Sequence, residues 1–220
     1  MKKVLVELNE RELKVLKRVL NENEVIVVDH IDRDNYEDYI GKTVEVKGDV
    51  DLGELGLTKL LVNFSDVGGS FDCSFNQLTS LEGAPERVGK SFYCSYNKLT
   101  SLRGGPEKVG VHFLCEDNQL TSLVDGPTKV GGAFLCDNNK LKTLKGAPEK
   151  VGMEFYCNYN ELTSLVGAPK EVGDNFYCSG NKLTSLEGGP EKVGGNFDCS
   201  DNPLKSFEGK PKFIGGKFRK

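Results

Sequence analysis

The sequence predicts a solenoid of α/β type: stacked short units form a parallel β-sheet on a concave face, little helix on the convex side, and a small N-terminal α/β cap. Three observations predict it. Seven cysteines, Cys73, Cys94, Cys115, Cys136, Cys157, Cys178 and Cys199, recur at a constant interval of 21 residues. Each has a Phe two positions before it and an Asn three positions after it. Residues two apart in a strand share a face and the one between points the other way, so Phe and Cys point inward together. A unit this short cannot bury its own apolar face, so neighbouring units must stack.

The elements follow in chain order. Residues 1–45 read as the α/β cap. Asn9 with Glu12 fits a helix N-cap, Leu8 with Leu13 a hydrophobic staple, and residues 10–20 an amphipathic helix with Leu13, Leu16, Val19 and Leu20 on one face. Val25 to Val28 reads as a strand and Asn35 to Ile40 as a short helical turn. The segment DHIDRDNYEDY carries Tyr36 and Tyr39 among acids, and reads equally well as a second binding surface or as solvated linker. Residues 46–66 form a worn capping unit in which Val46, Val50, Leu52, Leu57 and Leu60 keep the grid while Leu55 and Phe64 replace its Asn and Pro. Residues 67–213 are seven 21-residue units of consensus V-G-x-x-F-x-C-x-x-N-x-L-T-S-L-x-G-x-P-x-x. Residues 214–220 begin one further unit. In each unit the Asn is expected to satisfy turn backbone groups, and the G-x-P segment disfavours helix.

The F-x-C-x-x-N-x-L segment resembles the leucine-rich-repeat pattern L-x-L-x-x-N-x-L, with Phe and Cys in place of two leucines. The short units with a G-A-P turn look most like leucine-rich-repeat proteins encoded by bacteriophages and some bacteria. The resemblance covers residues 46–218 and implies a leucine-rich-repeat scaffold that binds another protein. Fold alone does not name the partner.

Composition narrows the classes. A formal charge of −4 argues against nucleic acid or an anionic membrane as the partner. MKKVLVELNERELK puts Glu and Arg where a signal peptide needs an apolar core, no window approaches a membrane span, and seven cysteines in such a chain suggest reduced thiols in a cytoplasm. With no C-x-x-C and only His30 and His112, the cysteines read as buried packing, not as zinc ligands; an odd number of them argues against serial disulfides. GAPERVGKS places five residues between Gly83 and Gly89 where a phosphate loop needs four. His112 reads as a surface residue facing away from Cys115, so no nucleophile has a base, and neither a catalytic residue nor a cofactor is expected.

Recognition belongs to the variable outward positions. Between Phe and Cys these are Asp72, Tyr93, Leu114, Leu135, Tyr156, Tyr177 and Asp198; two after Cys they are Phe75, Tyr96, Asp117, Asn138, Tyr159, Gly180 and Asp201. Five of the seven tyrosines fall in these two columns, and tyrosine offers large contact area with a polar tip. Adding the residues before Phe and after Cys gives 28 positions, which hold none of the 29 Lys and Arg but seven acids: Asp72, Glu116, Asp117, Asp137, Glu154, Asp198 and Asp201. The expectation is a non-enzymatic, monomeric protein-binding module whose apolar-aromatic, acidic face covers a basic surface of a host protein. With the phage-like resemblance, a nucleic-acid-binding effector of bacterial defence, such as a CRISPR effector, is the concrete candidate partner. The alternative expectation is a structural spacer or virion component that self-associates through its end at Phe218.

Overall fold

A computed structural model describes residues 25–220. The expected helix over residues 10–20 lies outside the described residues. The rest is a parallel β-solenoid of about nine turns whose one helical element is a single 3-10 turn, Tyr36–Tyr39.

Each turn contributes to two ladders, not to the single sheet expected. One is nine-stranded and runs from Val50–Asp51 through Phe71–Asp72, Phe92–Tyr93 and their successors to Phe218–Arg219. The other is ten-stranded and runs from Val25–Val28 and Thr43–Val46 through Arg87–Val88, Lys108–Val109 and their successors to Phe213–Ile214. Within the seven units all pairing is parallel and in register, so each residue sits beside its equivalent 21 positions away, as Phe134 does beside Phe113 and Phe155. The second ladder was hidden because its strands are two residues long and end on Val-Gly, which reads as a turn rather than as an alternating strand.

That Val-Gly step explains the glycine column. A Cβ on Gly131 would overlap the carbonyl oxygen of Gly110, and Gly89, Gly110, Gly152, Gly173, Gly194 and Gly215 each meet the preceding glycine in the same way. Their constraint is close approach of backbones. The glycines of the G-x-P turn are different: Gly83, Gly104, Gly146, Gly167, Gly188 and Gly209 have positive φ, a region open to glycine without a Cβ penalty. In the third unit Asp125 takes that place at φ 65.

The core is a set of columns. Seven Phe side chains, from Phe71 to Phe197, are fully buried, with ring centroids 5.1–5.5 Å apart between neighbours. The seven cysteines are buried and free. They do more than pack: each Sγ donates to the carbonyl of the outward residue one turn on, as Cys136 does to Tyr156 at 3.1 Å, and the backbone N–H of the same Cys reaches the same oxygen at 2.8 Å. Burial holds these thiols protonated by raising their pKa.

The Asn column closes the turns. Asn118 Nδ2 donates to the carbonyls of Cys94, Cys115 and Glu116 at 3.0–3.2 Å, and its Oδ1 accepts the Leu99 N–H at 2.9 Å. One amide thus stitches two turns, and the same set recurs from Asn97 to Asn202.

The ends are irregular. Val46 pairs with Val67 and Val50 with Phe71, so residues 46–66 stack in register despite their worn sequence, with one irregularity between Val44 and Val46. The strand Val25–Val28 joins the ten-stranded ladder, and Ile31 bridges to Val50. Tyr36 is buried, and its hydroxyl accepts the Leu61 N–H at 2.7 Å, so this tyrosine belongs to the core and not to a binding surface. At the other end Phe207 meets Phe218 edge-on at 5.5 Å and Lys210 lies 4.2 Å over the Phe218 ring.

Candidate functional site

Because each strand of the nine-stranded ladder keeps Phe and Cys inside, three columns face outward: the residue before Phe, the residue between Phe and Cys, and the residue after Cys. The middle column, Asp72, Tyr93, Leu114, Leu135, Tyr156, Tyr177 and Asp198, is half-buried throughout. Leu114 pairs directly with Leu135, so the centre is apolar, with Tyr93 on one side and Tyr156 on the other. Tyr156 and Tyr177 meet edge-on at 4.7 Å. Asp72 and Asp198, at the two ends, each accept the N–H and hydroxyl of the serine two residues on, Ser74 and Ser200.

The column after Cys carries Ser95, Glu116, Asp137, Asn158 and Ser179 side by side. Asp137 Oδ1 accepts the Asn158 N–H at 2.6 Å, and Asn158 Oδ1 accepts both the N–H and the hydroxyl of Ser179 at 2.8 Å. Burial, reinforced by Glu116 and Asp117, pushes the Asp137 carboxyl up to about 7. Burial likewise raises Glu116, one of whose carboxylate oxygens is buried with no hydrogen-bond partner.

The fourth column departs from expectation. Phe75, Tyr96, Asp117, Asn138, Tyr159, Gly180 and Asp201 lie beyond the two-residue strand, in a turn where every one has φ between 52 and 64. This left-handed region favours Gly, Asn and Asp, which occupy four of the seven places. Phe75, Tyr96 and Tyr159 hold it against that preference and are 53 %, 47 % and 62 % exposed. Phe75 and Tyr96 stack at 4.4 Å, and the Tyr159 ring lies over Gly180, where a Cβ would collide with it.

Four carboxylates at the centre, Glu116, Asp117, Asp137 and Glu154, have no Lys or Arg within ion-pair distance among the described residues. The other ladder contrasts with this. There Lys150 pairs with Glu171 at 2.8 Å, Lys170 with Glu149 at 2.6 Å and Arg87 with Asp66 at 2.6 Å. Among the described residues these acids beside the ten-stranded ladder are paired while the four central ones are not; at the end of their own face Asp198 does pair, with Arg219 at 3.7 Å.

A depression of about 380 Å³ lies at this centre, lined by Tyr93, His112, Leu114, Ala133, Leu135, Glu154 and Tyr156. His112 and Ala133 were not singled out from sequence as contributors. His112 is half-buried on the outward side, and its Nδ1 accepts the Ala133 N–H at 3.0 Å. The signal was the column before Phe, which runs Ser, Ser, His, Ala, Glu, Asn, Asn and dips to its smallest residue at Ala133.

Among the described residues no group of three or more His, Cys, Asp and Glu is placed to hold a metal ion, and no helix is long and apolar enough to cross a membrane. No protein family, curated protein or solved structure matches the chain. What stands is the regular 21-residue solenoid and the asymmetry of its faces.

Proposed function

We propose that this solenoid is a non-enzymatic binding module that covers a basic surface of a partner protein with the outward face of its nine-stranded ladder. The observation that carries the reading is the set of carboxylates Glu116, Asp117, Asp137 and Glu154, unpaired with any Lys or Arg among the described residues, around an apolar-aromatic centre on a face without a single Lys or Arg in the seven units. Potential of this sign steers a cationic surface inward, and the half-buried Tyr93, Leu135 and Tyr156 supply contact area once water is expelled. The same sign repels nucleic-acid phosphates. The nucleic-acid-contacting surface of a bacterial effector is a partner of the required charge.

The test is capture from a bacterial lysate by the wild type beside a Tyr93→Glu, Leu135→Glu, Tyr156→Glu variant shown by circular dichroism to be folded. A protein held by the wild type, released by salt and lost by the variant supports the reading. Equal capture by both moves binding to another face. Self-association as the alternative role predicts concentration-dependent oligomers in light scattering, and a strict monomer counts against it.

A further inference from the structure

The reading above gives the partner a basic surface. The depression at its centre defines what one residue of that surface must be. We propose that the hollow between Tyr93 and Tyr156 is an anchor pocket for a single arginine side chain of the partner, an inference that rests on the acidic face being the binding face.

The pocket is built from three chemistries in one place. Leu114 and Leu135, adjacent in register and half-buried, form an apolar floor for an aliphatic stem. Tyr93 and Tyr156 stand one turn outside that floor on either side, which at about 4.8 Å per turn sets them roughly 14 Å apart. At that separation a flat cation can lie on one ring or the other, not on both. Glu154, in the column before Phe, lines the hollow with a carboxylate that no Lys or Arg among the described residues neutralises. The hollow exists because Ala133 sits where the neighbouring turns carry His112 and Glu154. Its Ala133 side is held by the imidazole of His112, whose Nδ1 is engaged by the Ala133 N–H. Gly132 is part of the same construction, since a Cβ there would press on that imidazole nitrogen.

Guanidinium fits this set better than ammonium. It is planar and can lie on a tyrosine ring while pairing with a carboxylate through two N–H groups. It is also more weakly hydrated, so entering a half-buried, leucine-floored hollow costs less. Glu116 and Asp137, half-buried in the column on the other side of the leucines, have no Lys or Arg within ion-pair distance among the described residues. They add negative potential in their ionised forms, which burial disfavours until a cation arrives.

The test uses the full chain, ¹⁵N-labelled, titrated with N-acetyl-arginine N-methylamide, its lysine counterpart, its neutral citrulline counterpart, and an oligo-arginine peptide. The expected result is saturable movement of the Ala133, Leu135 and Glu154 amide signals with the arginine compound, little with lysine and none with citrulline. Glu154→Gln should weaken that binding about fivefold, the scale of a partly exposed ion pair. Ala133→Leu should abolish it by filling the hollow, while Glu171→Gln, on the ten-stranded ladder, should leave it unchanged. Equal responses to citrulline or lysine, or indifference to Glu154→Gln, overturn the pocket. Oligo-arginine shifts spread over the whole face, with no response to the single residue, overturn the pocket and leave the basic-partner reading intact. No response to either overturns both.

Discussion

Asn118 shows how much one side chain carries in this fold. Its amide is the acceptor for the Leu99 N–H and donates to three carbonyls, all inside the stack. Asn118→Ala leaves a buried N–H unpaired, at a cost of about 2 kcal/mol. In a chain of this size that should lower Tm by roughly 4–8 °C in a thermal melt. Asp137 makes the opposite contribution. Its folded pKa is about 7, above the ordinary carboxylate range, so at intermediate pH the folded protein keeps a proton that the unfolded chain has lost. The stability this lends is fully present below about pH 4 and disappears as pH rises through about 7. Glu116, also raised by burial, acts in the same direction. Asp137→Asn keeps an acceptor for the Asn158 N–H and removes the titration. Urea midpoints at pH 5 and pH 8 should therefore differ less in this variant, with its gain over the wild type larger at pH 8 than at pH 5. An unchanged pH profile would show that Asp137 is solvated and ordinary.

At the scale of the element, the two-residue strands and the turns between them set strict local rules. Gly131→Ala puts a Cβ into the Gly110 carbonyl oxygen, and the contact atom is backbone that cannot swing aside. The expected outcome is destabilisation of more than about 2 kcal/mol, the scale of an overpacked core, read as a fall in the denaturation midpoint. The turn after each strand shows a rule broken. Tyr159 sits at φ 52 with its ring 62 % exposed, where Asn or Gly would sit with less strain. Tyr159→Asn should raise stability by up to about 1 kcal/mol, since a left-handed backbone costs an ordinary L-residue roughly 1–2 kcal/mol. A fall instead would show that packing of the ring over Gly180 outweighs the strain. Such strain persists only where the surrounding stack over-determines the backbone, as the Asn-closed turns do here.

At the scale of the molecule, the solenoid is quasi-one-dimensional: each turn touches only its neighbours, so protection falls toward the ends. The thiols report this. Cys115, Cys136 and Cys157 lie in the interior of the stack with their pKa raised by burial. Cys199, nearest the Phe218 end, is raised less, to about 11. Native-state alkylation with a maleimide should label Cys199 first and the central cysteines last, on the timescale of unfolding; mass spectrometry of peptides gives the order. Uniform labelling would mean that the stack opens as one unit.

The sequence by itself determined the period, the inward Phe, Cys, Leu and Asn columns, and the acidic, lysine-free composition of the outward face, because an exact 21-residue repeat in register maps position onto direction. It also carried the worn first unit, since Val46 and Val50 keep their grid places. Only the tertiary structure decided the rest. The second ladder needs Val-Gly steps to pair across turns, which no periodicity within a two-residue strand can announce. The left-handed turn at Phe75, Tyr96 and Tyr159 overrides the preference of those residues through the Asn-closed stack around it. The hollow over Leu114 and Leu135 depends on Ala133 lying beside His112 and Glu154, neighbours 21 residues apart in the chain and one turn apart in space. The raised carboxyl of Asp137 arises only when burial strips water from it next to Glu116, and burial is a property of the stack, not of the residue.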